Sequence, residues 1–372
     1  MATGLYLHVP FCARKCAYCA FFSCSAESSV VAAWLEGGER ELNNLPYDFA
    51  PDSLFIGGGT PTVLGVADLK RVVELVHSRV GPNRKCYNAR TDPYGEWTCE
   101  VNPGTLTGEK ATVLREAGVN RLSIGAQSFD EATLRRLGRI HTAGQTREAV
   151  AMAREAGFEN IGLDLIYGVP GVSRDSFCAD VEEAMKLNPE HISCYCLEIE
   201  EGTPFARAAR AGKMEVSEEE QRAQFDWARK RLGEGGWGHY EISNFAKPGR
   251  ECRQNLLYWS GGEYIGLGPA AHSHWGGVRW GNTASLPTWT REFEERLDPK
   301  AKACETLVMG LRRLAGWGRE EFCAITGWDY DELRGSEIAR LVDEGLLVKE
   351  PDRIRLAEEA LFISDSVFAD LV

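Results

Sequence analysis

The sequence predicts an α/β protein: a partial (β/α)6 barrel over residues 1–235, then an α+β, partly helical unit over residues 236–372 whose end is winged-helix-like. Three observations predict it. Short apolar runs alternate with amphipathic stretches of helical period six times, which implies a parallel sheet with helices between its strands. The alternation stops near residue 230, too soon for a closed eight-stranded barrel. A cysteine-rich loop follows the first strand directly, at the strand end where such folds carry their chemistry.

Taken in order, strands are expected at 5–9, 53–56, 97–101, 121–125, 161–166 and 191–199. Between them, helices are expected at 68–80, 108–117, 145–156 and 176–187, several closing on Gly or Asn-Pro stop signals. After Gly233-Glu234-Gly235-Gly236 the pattern changes to a Gly- and aromatic-rich segment, 237–285, and then to helices from 286 onward. Residues 340–356 read as a helix feeding a short hairpin, the outline of a winged helix used for packing. The polar, turn-rich stretch 84–97 reads as a surface insertion without an assigned role.

With 372 residues the chain has room for one large domain and a smaller one, at about 150 residues each. A hydrophobic fraction of 44% and a charged fraction of 26% are those of an ordinary globular protein. A net charge of −13 argues against nucleic acid as a partner. No signal peptide is evident and no apolar run reaches the roughly 18 residues of a membrane span, so no integral membrane segment and a cytoplasmic location are expected.

Three of the twelve cysteines, Cys12, Cys16 and Cys19, are spaced C-x3-C-x2-C. They are one thiolate short of a closed zinc or iron–sulfur site. A four-iron cluster held by three cysteines keeps one iron open for a small molecule. Zinc, the rival, would want a fourth Cys or His at regular spacing, and His8 is expected to point along the first strand. The other nine cysteines lack metal-ligand spacing. Cys99, Cys194 and Cys196 are expected as buried, inert thiols, and Cys24 is a minor candidate for a further ligand.

A run of glycines, Gly57-Gly58-Gly59-Thr60-Pro61, closes the second strand and is expected to let backbone groups approach a polar ligand. Glu100 and Asn102 end the third strand, Gln127 and Ser128 the fourth, and Asp164 lies in the fifth. One acid at a strand end is ordinarily a cap or an ion pair. Several around one barrel mouth need a shared partner, such as a ligand with hydroxyls and an ammonium group. Arg139, expected in the helix after the fourth strand, would face a ligand carboxylate.

Together, segments 6–19, 57–61, 100–104, 120–129, 137–141, 164–170, 191–205 and 240–259 resemble the radical S-adenosylmethionine (SAM) proteins of the oxygen-independent coproporphyrinogen oxidase group. The resemblance implies a partial (β/α)6 radical SAM barrel with a C-terminal winged-helix-like domain. It implies a [4Fe-4S] cluster on Cys12, Cys16 and Cys19, whose open iron takes the amino and carboxylate groups of SAM. Tyr6, Tyr18, Gly58, Gly59, Thr60, Glu100, Gln127, Arg139 and Asp164 would line the SAM pocket, with Asp164 on the ribose hydroxyls. An electron donor is implied if SAM is cleaved.

Phe21 stands where the oxidases of that group carry a further cysteine, and only eleven residues precede Cys12. Both features resemble the HemW-type branch, whose members bind heme and are regarded as heme chaperones. So does Gln254-Asn255-x-x-Tyr258-Trp259, except that the branch has His where this chain has Gln254. Heme would then be held by this segment and apolar contacts, or ligated by His239, His272 or His274. The expected function is transfer of heme to acceptor proteins. The alternative is a radical enzyme acting on a tetrapyrrole, by oxidative decarboxylation of coproporphyrinogen III or by alkylation of heme.

Overall fold

The first strand lies in the interior of the sheet. In the computed structural model, which describes residues 2–47, 49–80 and 95–372, β1 (Thr3–Val9) is followed outward by β2 (Ser53–Gly58), β3 (Glu96–Val101), β4 (Arg121–Gln127), β5 (Ile161–Tyr167) and β6 (His191–Cys196), in chain order and all parallel. Strands buried on both faces must be apolar almost throughout. β5 is, and Asp164 is its one incompletely buried residue; β4 is buried along Arg121–Ala126 yet carries Arg121, Ser123 and Gln127. The surface insertion expected at 84–97 falls almost wholly outside the described residues.

Helices α1 (Ser28–Asn43), α2 (Val66–Val80), α3 (Gly108–Glu116), α4 (Glu131–Leu137), α5 (Ala143–Glu155) and α6 (Arg174–Lys186) make the crossovers. Side-chain caps fix several starts: Thr107 on α3, Asp130 on α4, Ser173 on α6, and a Thr142–Gln145 capping box on α5. Gly138 (φ 77°) ends α4 in the left-handed conformation. Arg139 therefore sits past the helix, in the link to α5, and not within a helix as expected. The sixth strand stops at Cys196, short of the expected 199, where Leu197 N–H turns to the Tyr167 carbonyl at 2.8 Å.

After α7 (Pro204–Arg210) and α8 (Glu218–Glu234), the change in composition marks a change of strand direction within the same sheet. β7 (Gly238–Glu241) and β8 (Asn244–Ala246) add antiparallel beside β6. Beyond α9 (Arg253–Trp259), β9 (Glu263–Leu267) pairs in parallel with the free side of β1. β10 (His272–Trp275), β11 (Val278–Asn282) and β12 (Arg291–Glu295) continue outward as an antiparallel meander. Among the described residues this makes one twelve-stranded sheet, left open between the edges β12 and β7. The division drawn at 235/236 thus runs through a sheet whose two ends are built by the later segment.

The last part of the chain builds α10 (Pro299–Leu311), β13 (Trp317–Gly318), α11 (Arg319–Thr326), α12 (Tyr330–Asp343), β14 (Leu347–Glu350) and β15 (Arg353–Leu356), with sheet order β13-β15-β14, the element order of a winged helix, and closes on α13 (Ser364–Ala369). Trp317, fully buried, donates its indole N–H to the carbonyls of Thr306 and Leu307. Backbone bonds Ile242 N–H to Arg312 O and Leu314 N–H to Tyr240 O tie this unit to the β7–β8 edge. No helix among the described residues is long and apolar enough to cross a membrane.

Candidate functional site

The loop after β1 is clamped by its backbone. Cys12 N–H donates to Cys24 O (2.9 Å) and Cys24 N–H to Pro10 O (2.7 Å), while Ala17 bonds Leu137 O and accepts from Phe205 N–H. The clamp turns Cys12, Cys16 and Cys19 into one cavity of about 800 Å3. Cys24 contributes its backbone to the clamp, and its thiol does not line that cavity. Burial pushes the Cys12 and Cys19 thiols up. Thr60 Oγ1, 3.8 Å from Cys12 Sγ, and the Arg139 charge work against the Cys12 shift, and Arg139 Nη1 lies 3.6 Å from Cys16 Sγ. Among the described residues no three His, Cys, Asp or Glu side chains gather closely enough to hold one ion. A four-iron cluster asks less of them, because each thiolate takes a different iron.

The glycine run has a different reason from the one expected. A Cβ on Gly58 (φ +97°) would stand 2.2 Å from His8 Nδ1, one on Gly57 would meet the Glu100 carboxyl at 2.6 Å, and one on Gly59 would meet the Val9 carbonyl at 2.5 Å. The glycines admit the protein's own atoms. Their amides are committed as well: Gly58 N–H to Glu100 Oε2 (2.9 Å), Gly59 N–H to Val9 O and Thr60 N–H to Phe11 O. Gly58, Gly59 and Thr60 still line the cavity.

From the thiols the cavity runs inward past Tyr18, Gln127 and Arg139 to Glu100 and Asp164. Burial raises both carboxyls, Glu100 to about 7 with the Asp164 charge adding to the shift. Asp164 accepts hydrogen bonds from Ser193 Oγ (2.7 Å) and Ser123 Oγ (3.0 Å). Arg139 is held by Gly125 O (2.7 Å) and by Nδ1 of His141, whose Nε2 lies 3.0 Å from Ala126 O. Burial, and then the Arg139 charge, bring His141 down to about 4, so it is neutral near pH 7 and accepts at Nδ1. Gln127 takes a left-handed φ of 64° at a bulge in β4, a strained geometry typical of sites.

Sequence reasoning missed the floor of this cavity, Arg121, Ser123, His191 and Ser193. Arg121 Nε and His191 Nδ1 are buried without a hydrogen-bond partner among the described residues, which suits a polar ligand. The signal for Ser123 and Ser193 was strand register: Ser193 pairs with Asp164 itself, and Ser123 with Gly162, two residues before it on the same face of β5. Two expectations fail here. Cys196 lines the cavity, half-buried, with burial pushing its thiol to about 11. Ser128 faces away, bonded to Asp180 at 2.6 Å.

Tyr6 does not line this cavity. It faces a second one of about 560 Å3, together with Tyr258 and Trp259. Tyr6 also bonds His8 Nδ1 (3.1 Å), and His8 Nε2 lies 3.1 Å from Phe22 O. Phe21, 67% exposed, lines both cavities. The segment 254–259 is divided between them. Asn255 lines the first, Tyr258 and Trp259 the second, and Gln254 neither: it is 1% exposed and accepts from Ser53 Oγ at 2.6 Å. His239 is also removed from both, stacked on Phe245 and bonded to Ile242 O, whereas His272 and His274 line the second cavity.

The sequence profile of the radical SAM superfamily matches residues 6–184. Over 371 residues the chain is 32% identical to the heme chaperone HemW of Lactococcus lactis, covering 98% of this chain and 95% of that one. It is 37% identical to the heme chaperone HemW of Mycobacterium tuberculosis, covering 99% and 94%. The solved structure of the radical SAM enzyme coproporphyrinogen III oxidase (HemN) from Escherichia coli superposes with a TM-score of 0.82, covering 100% of this chain and 90% of that one; at 20% identity it establishes a common fold. With near-complete coverage at these identities, the chain belongs to the radical SAM superfamily and, within it, to the family of the HemW proteins.

Proposed function

We propose that this protein is a heme chaperone that binds heme and passes it to acceptor proteins in the cytoplasm. The observation that carries the reading is the likeness, along almost the whole chain, to proteins named heme chaperone HemW. The superfamily's cofactors are a [4Fe-4S] cluster and SAM, and the first cavity suits both. Cys12, Cys16 and Cys19 would hold the cluster, which supplies an open iron for the amino and carboxylate groups of SAM.

The rest falls to the chain's own side chains. Arg139 places a cation beside Cys16, where a ligand carboxylate would sit. Asp164, held by two serines, offers acceptor oxygens to ribose hydroxyls, and Glu100 offers a buried carboxylate to the N–H groups of the SAM amine. Tyr18, Gly58, Gly59, Thr60 and Gln127 complete that wall. Tyr6, Tyr258 and Trp259 line the second cavity, apart from that wall. An electron donor is required only if SAM is cleaved.

Heme titration of the anaerobically reconstituted protein tests the reading. The expected result is a saturable spectral change, followed by transfer to an apo-acceptor. No saturable change would sink it. The radical-enzyme alternative has only the common fold behind it, and substrate-dependent 5′-deoxyadenosine formation would be needed to revive it.

A further inference from the structure

Cluster and SAM account for the first cavity and leave the second without an occupant. At about 560 Å3 it lies within the roughly 300–1,000 Å3 of sites for ligands of this size. Its walls are aromatic, with Tyr258 packed edge-on against Tyr264 at 4.7 Å. Three imidazoles reach it. His8 is engaged at both nitrogens, by Tyr6 and by the Phe22 carbonyl, so it has no lone pair to give a metal. His272 and His274 are two residues apart on β10 and so share a face of the sheet. Burial, and then the nearby Lys302 charge, lower the His274 pKa, which keeps a neutral ring ready for ligation. Two cations stand at the wall. Arg279 is taken by Glu295 (2.8 Å) and Glu305 (3.1 Å), whereas Lys302 has no ion pair within 4.0 Å among the described residues.

We infer that this cavity is the heme seat, that one imidazole of the His272/His274 pair ligates the iron in place of the histidine the 254–259 segment lacks, and that Lys302 receives a propionate. The inference rests on the heme-chaperone reading and says where that heme sits. A flat apolar macrocycle with a central iron and acidic edges matches aromatic walls, a pair of imidazoles on one sheet face and an unpaired ammonium group.

The test uses the full chain with its cluster: wild type, His272→Ala, His274→Ala, the double variant and Lys302→Glu, each titrated with hemin. Ligation is read from the absorption spectrum and from electron paramagnetic resonance. The double variant is expected to lose imidazole ligation and on the order of 10–100-fold in affinity, with one single variant reproducing the loss. Free imidazole should restore the ligated spectrum, a recovery that misfolding would not allow. Lys302→Glu should weaken binding and leave the spectrum unchanged. Cluster absorption and SAM binding should match wild type throughout. A double variant with the wild-type spectrum and affinity overturns the inference alone. Absence of saturable heme binding by wild type overturns the chaperone reading, and the inference with it.

Discussion

Arg139 Nη1 lies 3.6 Å from Cys16 Sγ while its Nη2 is fixed on the Gly125 carbonyl at 2.7 Å. The left-handed Gly138 makes this placement possible, because it ends α4 one residue earlier and turns the chain toward the thiol loop. A cation beside a sulfur ligand favours the reduced, more negative cluster. Arg139→Gln should therefore keep the cluster and lower its potential by on the order of 60 mV, a tenfold change for one electron. Spectroelectrochemical titration measures it, and an unchanged potential would mean that the guanidinium does not act on the cluster.

Gly58 has two independent reasons to be glycine: its φ of +97°, and His8 Nδ1 at 2.2 Å from where a Cβ would stand. Gly58→Ala should cost about 3 kcal/mol or more, from backbone strain and overpacking together. Denaturant unfolding reads the loss. A cost below 1 kcal/mol would show that His8 moves aside freely.

Glu100 makes stability depend on pH. Its ordinary value is 4.5 and burial lifts it to about 7. The folded state thus holds this proton more tightly than the unfolded chain does. The group's contribution is fully present below about pH 4.5, and stability falls as pH rises toward 7, by an amount on the order of 3 kcal/mol before other groups are counted. Glu100→Gln should flatten this segment of the profile in thermal unfolding of the cofactor-free protein. N–H groups of the SAM amine donating to Glu100 favour the ionised form, so SAM affinity should rise across the same window.

Asp164 is the acceptor that the two serines orient. Asp164→Asn keeps the shape and removes the charge. SAM affinity should drop about 10–100-fold, the worth of a charged hydrogen bond of roughly 1.5–3 kcal/mol. Calorimetric titration checks this. Equal affinity would free Asp164 from the proposed ribose contact.

Six strands and the thiol loop were legible because parallel strands buried on both faces leave apolar runs, and the cysteines carry their own spacing. Helix α1 was not, because Gly37-Gly38 inside it reads as a breaker. The structure gives Gly37 its reason: the Trp289 ring occupies the space a Cβ would need, at 2.2 Å. β9 to β12 escaped notice for another cause. They are short, and the edge strand β12 is exposed along its whole length, so no alternation marks it. The second cavity could not be read at all. It depends on β9 pairing with β1, which brings Tyr6 to the β10 histidines across more than 260 residues of chain.

Gln254 is where sequence and structure give opposite expectations. By motif, Gln254→His restores the histidine of the HemW branch and should create a heme ligand. By geometry it should not. The Gln254 carboxamide is 1% exposed, accepts from Ser53 at 2.6 Å, and lies where a Cβ on Gly4 would meet it at 3.0 Å. An imidazole there would face Ser53 and the backbone of β1 rather than either cavity. Heme affinity of Gln254→His should therefore change by less than about twofold, under 0.5 kcal/mol of binding, and its ligation spectrum should match wild type. A tenfold gain with a new imidazole spectrum would move the ligand back to the 254–259 segment, and would require α9 to rotate that residue out of its pocket against Ser53.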